Sequence, residues 1–444
     1  MENKHTQFSR AARNYAVLGC LAMATAASAA TDSVPEGYVS RKEYEALKQQ
    51  VVEMQKALRA LKADKPVATT SASESKSGST ASAVQALSQE VTDLRSVVEE
   101  TKPGTTKFHI AGSASASFIA PQHGPANFSA TFAPVFLWQL SDKLMFEGET
   151  EMELAEDGTT LVNLEYAHLS YALNDYMTIG AGKFLSPMNI FVERYEPNWI
   201  NKLPDTPLAI YDGILPETNL GLQIRGAVPV GPVRFNYALF ASNTPRVLSG
   251  SAEEAGQLQF DNFSSLNNAK EVGGRIGFLP FPWLELGYGM QTGHVTDVNA
   301  TGNPRSTQQS VDMEIHHNSD LLKGNLTLLA QYAWSDTGKL TYDPNAADFG
   351  PLTYSNHRNG GYVQASYRPR ELSDTLNRME FIVRADEANM PNNEPGGFDE
   401  KRLTFGIDYW VTSSAVLKAA YEIDRRNHNE PNQNAVLLQF AVGL

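Results

Sequence analysis

The sequence predicts an all-β transmembrane barrel of about 16 antiparallel strands over residues 105–444, preceded by a short α-helical coiled-coil segment. Two observations favour the barrel. Short segments alternate between apolar and polar residues with a period of two, which is typical of β-strands whose two faces differ. The connectors between these segments alternate between short turns and longer stretches. An even number of strands then leaves both ends of the barrel sequence on the same side of the membrane.

Residues 1–29 have the pattern of a secretory signal peptide. A basic region ends at Arg13, the apolar run YAVLGCLAMATAA follows, and the small residues ASA end the segment. The alternative is a membrane anchor, but the apolar run is shorter than the ~20 residues that a spanning helix needs. Cys20 is the single cysteine, so removal of this segment would leave an exported protein without disulfides.

Residues 30–104 are predicted to form periplasmic coiled-coil segments joined by a Ser/Thr/Ala-rich linker at 65–82. Apolar residues recur at spacings of three and four with charged residues between them, as on an amphipathic helix. The first set is Tyr44, Leu47, Val51, Met54, Leu58 and Leu61, and the second is Val84, Leu87, Val91, Leu94 and Val98. A single helix packed on a core is the alternative. Since the sequence shows no other helical partner, we expect self-association, with each set too short to create an oligomer alone.

The clearest strand is MFEGETEMEL, in which Glu147, Glu149, Glu151 and Glu153 share one face. The same alternation recurs in VRFNYAL, LELGYGM, VDMEIHH, RLTFGIDY and LKAAYEID. A soluble β-sandwich would alternate too. A membrane barrel is favoured because one face is apolar and rich in aromatic residues, whereas the other is polar and often charged over many successive strands.

The connectors assign the two ends of the barrel. Short turns such as LSDK, LNDY, PVGP, PFPW and TSSA interleave with longer stretches, for example 243–269 and 337–356. The longest connector, residues 185–218, follows the fifth strand. It is therefore predicted to be the third loop on the outward side.

The composition excludes several classes of function. The formal net charge of −14 argues against nucleic acid as a partner. No nucleophile–base motif, phosphate-binding glycine loop or pair of catalytic carboxylates stands out, so we expect no enzyme activity, no catalytic residue and no cofactor. His316 and His317 are adjacent, but successive strand residues point to opposite faces, so no metal site is predicted.

The segment DYMTIGAGKFLSPMNIFVERYEPNWI resembles the fifth strand and following loop of the phosphate-selective porin O and P family. The matching residues are Gly182, Lys183, Phe184, Pro187, Glu193 and Arg194. The stretches NLGLQIRGAVP and EVGGRIGFLPFPWLELG are also similar to strands of that family, and the resemblance covers most of 106–444. It implies a porin in the outer membrane of a Gram-negative bacterium, usually trimeric, with the third loop folded into the pore.

Such a protein is expected to be a water-filled channel for passive diffusion of small polar or charged solutes and ions, with selectivity set by the side chains that face the pore. The alternation predicts a set of pore-lining charges: Glu147, Glu149, Glu151, Glu153, Glu165, Arg225, Arg234, Arg275, Asp312, Glu314, Arg384, Arg402 and Lys418. The residues predicted for the constriction loop are Glu193, Arg194, Glu196, Lys202 and Asp205. Because acidic residues outnumber basic ones in this loop, we expect mild cation preference rather than phosphate selectivity.

Two other interpretations stay open. A structural or adhesive outer-membrane barrel, tethered to the cell wall through the coiled coil, would pass no current. A barrel enzyme would need a cluster of Ser, His and an acidic residue near the outer rim, which the sequence does not show. The expected partners are membrane lipid and lipopolysaccharide, two further copies of the chain in a homotrimer, and peptidoglycan contacted through the coiled coil.

Overall fold

The computed structural model describes the chain from residue 107 onward, with gaps. The described residues are 107–154, 158–211, 214–247, 258–260, 268–295, 300–342, 352–390, 397, 399–427 and 432–444. The predicted signal peptide and the predicted coiled-coil region both lie outside these residues. They therefore stay predictions.

Sixteen long strands form a single closed antiparallel sheet. They are β1 (Phe108–Pro121), β2 (Asn127–Gln139), β3 (Leu144–Leu154), β4 (Thr160–Asn174), β5 (Met177–Leu185), β6 (Thr218–Val230), β7 (Val233–Asn243), β8 (Lys270–Phe281), β9 (Leu284–His294), β10 (Arg305–Ser319), β11 (Gly324–Tyr342), β12 (Leu352–Pro369), β13 (Met379–Asn389), β14 (Asp399–Trp410), β15 (Ala415–Arg426) and β16 (Ala435–Gly443). Each strand pairs with its neighbours in sequence. The barrel closes where β1 pairs with β16, from Ser113 opposite Gly443 to Pro121 opposite Ala435. The predicted antiparallel barrel of 16 strands is confirmed.

Closure leaves no sheet edge with unpaired backbone groups, which is the requirement for strands in lipid. No helix among the described residues has the length and apolar composition to span a membrane.

The two faces of the wall differ in polarity. In β15, Lys418, Glu422 and Asp424 point into the barrel and are buried, whereas Leu417 and Tyr421 point outward and are 47% and 44% exposed. The other strands of the β8–β16 half repeat this pattern, with outward side chains such as those of Ile276, Phe405 and Phe440 left exposed. This distribution is the reverse of that in a soluble protein, where apolar side chains lie inside. The period of two in the sequence produces it directly.

The connectors also alternate in length. Short turns at 140–143, 175–176, 231–232, 282–283, 320–323, 370–378 and 411–414 lie at the end of the barrel that carries both termini of the strand series. The connectors at the opposite end are mostly longer. The connector of residues 244–269 contains a ribbon of Arg246–Val247 paired with Leu258–Gln259, and Ala300–Thr301 pairs with β11.

The third connector at the opposite end, residues 186–217, is called the inner segment below. It contains two short helices, α1 (Ile190–Arg194) and α2 (Leu208–Tyr211). Nine of its apolar side chains are almost fully buried: Met188, Ile190, Phe191, Val192, Leu203, Ala209, Ile210, Ile214 and Leu215.

These side chains pack on inward-facing residues of the wall. Leu203 lies in one cluster with Ile382, Ala420 and Leu437, which belong to β13, β15 and β16. Phe191 lies in another with Tyr362 of β12. These hydrophobic clusters therefore lie inside the barrel, between the inner segment and the wall.

Candidate functional site

A cavity of about 430 Å³ lies between the inner segment and the wall of β3–β8. Its ionisable lining consists of Glu147, His168, Glu193, Arg194, Arg225, Tyr237 and Arg275, and its neutral polar lining includes Ser170, Thr178, Gln223 and Asn236. Five of these charged residues, Glu147, Glu193, Arg194, Arg225 and Arg275, are among the candidates that the sequence provides. The structure brings them to one place from four different elements, β3, α1, β6 and β8.

Arg194 joins the inner segment to the wall at this cavity. It ends α1, whose first turn is held by the Asn189 side chain accepting a hydrogen bond from the Val192 backbone N–H. Its Nη1 donates to Glu285 Oε2 (3.0 Å) and to Glu314 Oε1 (2.7 Å). Burial alone would lower the pKa of Arg194, but the hydrogen bond to Glu285 and the charges of the two glutamates raise it. The guanidinium is therefore a fixed positive charge.

Tyr195 adds a second contact to the same wall. Its hydroxyl donates to Glu314 Oε2 (2.6 Å) and lies 3.2 Å from His316 Nε2. Burial and the adjacent Glu314 carboxylate raise the pKa of the Tyr195 hydroxyl, so it keeps its proton and remains a donor.

Arg275 is held from within the wall. Its Nε donates to Asp312 Oδ2 (2.9 Å) and its Nη2 donates to Glu285 Oε1 (2.9 Å). Gly287 makes this close approach feasible, because a Cβ at that position would lie 2.3 Å from both Arg275 Nη2 and Asp312 Oδ1. Charge-assisted pairs of this kind are strong and geometrically specific.

Arg225 is the most accessible of the three arginines that line the cavity. Its side chain is 45% exposed, compared with 29% for Arg194 and 4% for Arg275. Its Nη2 donates to Glu193 Oε1 (2.6 Å). Across the cavity, Glu147 Oε2 lies 3.4 Å from His168 Nε2.

Three other basic candidates, Arg384, Arg402 and Lys418, lie beneath the inner segment and bond to it, and Lys202 of the segment itself bonds to the wall. Arg384 donates to the backbone oxygens of Asp205 and Thr206, both at 2.9 Å. Arg402 pairs with the Asp205 carboxylate at 2.5 Å. Lys202 pairs with Glu380 at 3.0 Å.

Lys418 completes this anchoring set by donating to the backbone oxygens of Asn198 and Asn201. Arg384, Arg402 and Lys418 are thus held against the inner segment and the adjacent wall. They are not brought to the cavity with Arg225.

The other acidic candidates continue the wall beside Glu147. The register of β3 on β4 puts Glu151 opposite Asn163 and Glu153 opposite Leu161, with an irregularity between Glu149 and Thr150. Glu165 lies at that irregularity. Neither Glu149 nor Glu151 pairs with a basic side chain within the described residues. Arg234 is exposed near the turn between β6 and β7, and Glu196 is partly buried in the inner segment.

The sequence did not single out His168, Gln223 or Tyr195. His168 and Gln223 lie on inward-facing positions of β4 and β6, so the same alternation would have found them. They were missed because uncharged polar residues give no charge pattern. Within the described part of the chain, no group of three or more His, Cys, Asp and Glu side chains is arranged to hold a metal ion.

No protein-family model matches this chain, and no curated protein sequence matches it either. Among solved structures, OmpF of Salmonella typhi in complex with daunomycin matches with a TM-score of 0.51 and 14% identity, covering 76% of this chain and 98% of that chain. The chain therefore has the barrel fold of an outer-membrane porin.

Two further structures match at lower TM-scores. An anion-selective porin from Comamonas acidovorans and the outer-membrane channel DcaP of Acinetobacter baumannii both give a TM-score of 0.49 and 11% identity. Each match covers 76% of this chain. It covers 100% of the Comamonas porin chain and 97% of the DcaP chain.

Proposed function

We propose that this chain is an outer-membrane porin of a Gram-negative bacterium that forms a water-filled channel for passive diffusion of small polar or charged solutes. The observation that carries the proposal is the reversed polarity of a closed barrel: charged and amide side chains inside, exposed apolar side chains outside, and a charge-lined cavity within. An apolar outer band suits lipid and the acyl chains of lipopolysaccharide. A polar interior suits water and ions.

The inner segment would narrow the channel. Support comes from its attachment to the inner wall by buried apolar packing and by Arg194, Arg384, Arg402 and Lys418. A segment held by several charged contacts keeps one position, so the remaining passage lies on the side of β3–β7. The side chains exposed to a solute would then be Glu147, Glu193 and Arg225 rather than the basic side chains of β13–β15.

The charges favour a mild preference for cations. Arg194 and Arg275 are each held by two carboxylates, among Glu285, Glu314 and Asp312, so their positive charge is offset locally. Glu149 and Glu151 place two further carboxyl groups on the adjacent wall. Charges in a narrow pore act more strongly than on an open surface, and salt screens them over ~10 Å at 0.1 M. The chain would then resemble the phosphate-selective porin O and P family in its barrel architecture but not in its ion selectivity.

Assembly and export complete the proposal. Export would use the signal peptide of residues 1–29, and the barrel would form a homotrimer aided by the coiled-coil region. That region would also be available for contact with peptidoglycan.

The proposed trimer can be tested on the purified protein. The full-length protein should migrate as a heat-modifiable oligomer, and deletion of residues 41–100 should weaken the oligomer without unfolding the barrel. A monomer in mild detergent with the full chain present would contradict the trimer.

The decisive experiment is conductance in a planar lipid bilayer. The protein should produce discrete current steps in KCl, and a salt gradient should give a reversal potential of cation-selective sign that is largest at low salt. A folded, inserted barrel that passes no current would instead support the structural or adhesive alternative. Strong anion selectivity would show that the cavity arginines control the passage.

A further inference from the structure

We propose that the cavity between the inner segment and β3–β8 is a saturable binding site for small zwitterions of the amino-acid or short-peptide class, with the solute carboxylate on Arg225 and its ammonium on Glu147. The inference rests on the proposed channel function, because it names a solute class for the same passage.

The floor of the cavity lacks large side chains. Gly180 and Gly182 lie on the inward face of β5, opposite Ser170 and His168 of β4. Gly182 has a φ of +130°, and a Cβ there would lie 2.3 Å from the backbone oxygen of Ala167. Only glycine fits that position. Because neither Gly180 nor Gly182 has a side chain, the inward face of β5 forms a groove between β4 and β6.

Opposite charges flank this groove. Glu147 is opposite His168 on the β3–β4 side, and Arg225 is opposite Thr178 on the β5–β6 side. The backbones of Glu147 and Arg225 are three strand spacings apart across the sheet and four residues apart in register, which separates them by ~20 Å, and both long side chains line the cavity. The gap between their charged ends is therefore shorter than the backbone distance, which suits a solute with charges at its two ends.

Both charged groups retain hydrogen-bonding capacity. A guanidinium has five N–H donors, and Arg225 donates from Nη2 to Glu193 while its side chain remains 45% exposed. A carboxylate has about four lone-pair sites, and Glu147 contacts His168 through one oxygen. A solute can thus bind each group without displacing its present partner.

A buried acceptor between the two charges points independently to a ligand. Gln223 is 3% exposed, lines the cavity and lies opposite Gly180, yet its Oε1 has no hydrogen-bond partner among the described residues. His168 Nδ1, which also belongs to the cavity lining, is buried and without a partner there. Buried polar atoms are nearly always paired, so an unpartnered acceptor on a residue that lines a polar cavity favours a donor-bearing occupant. An ammonium group supplies three such donors.

The charge balance distinguishes a zwitterion from a simple ion. A solute anion would bind Arg225 but would face Glu147 and Glu193 in the same cavity. A solute cation would bind Glu147 but would face the exposed Arg225 guanidinium in the same cavity. A molecule that carries both charges satisfies both sides, and the arrangement would select it through complementary contacts.

The test is current block by a matched set of solutes in planar bilayers at 0.1 M KCl. Glycylglycine carries both charges, its N-acetyl derivative lacks the ammonium, and its C-terminal amide lacks the carboxylate. We expect saturable block by glycylglycine, with half-blocking concentrations on the order of 10-fold higher for each derivative, since each loses one charge-assisted contact. Arg225→Gln and Glu147→Gln should each raise the half-blocking concentration of glycylglycine by about the same factor.

Matched controls are Arg378→Gln and Glu371→Gln, which remove the same charges at exposed positions of the β12–β13 connector and should leave the block unchanged. If the N-acetyl derivative blocks at the same concentration as glycylglycine, the site binds anions. If the amide blocks at the same concentration, the site binds cations. Either result overturns the proposal. Normal KCl conductance without any block by glycylglycine would reject the zwitterion site and still support the proposed channel. Loss of all conductance in the unmodified protein would instead reject the channel, and this inference with it.

Discussion

Arg384→Gln should release the inner segment from the wall. Arg384 is fully buried, and its Nε donates to Asp386 Oδ2 (2.9 Å), while its two Nη atoms donate to the backbone oxygens of Asp205 and Thr206. Glutamine is shorter and uncharged, so it cannot reach all three acceptors. The substitution therefore removes the charge that hydrogen-bonds to the buried Asp386 carboxylate and leaves Arg402 as the neighbouring positive charge.

The expected magnitude is large for a single substitution. Removing one member of a buried ion pair costs about 3–5 kcal/mol, because the remaining charge stays buried and unpaired. The two lost bonds attach directly to the inner segment, so part of this cost shifts the equilibrium between attached and detached segment. A shift of ~3 kcal/mol changes that equilibrium by a factor of more than about 100. Strand pairing between β13 and β14 does not use this side chain, so the barrel should still form.

Single-channel recording is the appropriate assay. Arg384→Gln should raise the open-channel noise and the mean conductance, while the protein still inserts and shows the heat-modifiable migration of a folded barrel. Arg378→Gln, on an exposed turn, is the control for loss of a positive charge and should behave like the unmodified protein. Unchanged conductance and noise in a folded Arg384→Gln protein would refute the idea that this anchor keeps the segment in the passage.

Further predictions concern selectivity, packing and orientation. Replacing Glu149 and Glu151 by Gln should move the reversal potential toward anions at low salt, whereas Glu371→Gln, on an exposed turn, should not; equal shifts would point to a general charge effect. Leu203→Ala removes a fully buried side chain from the contact with β13, β15 and β16. It should cost about 2–5 kcal/mol and produce noise like that of Arg384→Gln, so a quiet channel would argue against this packing. Protease added to intact cells should cut within 243–269 and spare the N-terminal heptads, because the long connectors are proposed to face outward. The reverse pattern would contradict this orientation.

Much of the fold is readable from the sequence because strand alternation is a local property. In RLTFGIDY and LKAAYEID, the period of two alone assigns Arg402 and Lys418 to one face and Leu403 and Leu417 to the other. The structure has these faces inside and outside the barrel respectively. Connector lengths depend only on where the alternation stops, so the short turns also follow from the chain itself.

The candidate site is only partly readable in this way. The sequence gives inward faces to Arg225 of β6 and Arg384 of β13 alike, with nothing to separate their roles. In the structure Arg225 is 45% exposed beside the cavity, while Arg384 is buried under the inner segment. The difference arises because residues 205 and 206 of the inner segment cover Arg384 and accept its hydrogen bonds, whereas Arg225 borders the cavity and contacts the segment through Glu193.

The sequence by itself determined the number of strands, the face on which each side chain lies and the reversed polarity of the wall. These follow from a two-residue period that each strand carries within its own ten or so residues. Only the tertiary structure decided which inward charges are neutralised in buried pairs and which line the cavity. Those contacts join residues such as Arg194 and Glu314, which are 120 positions apart. No local pattern encodes such a contact, because it depends on where the inner segment packs once the barrel has closed.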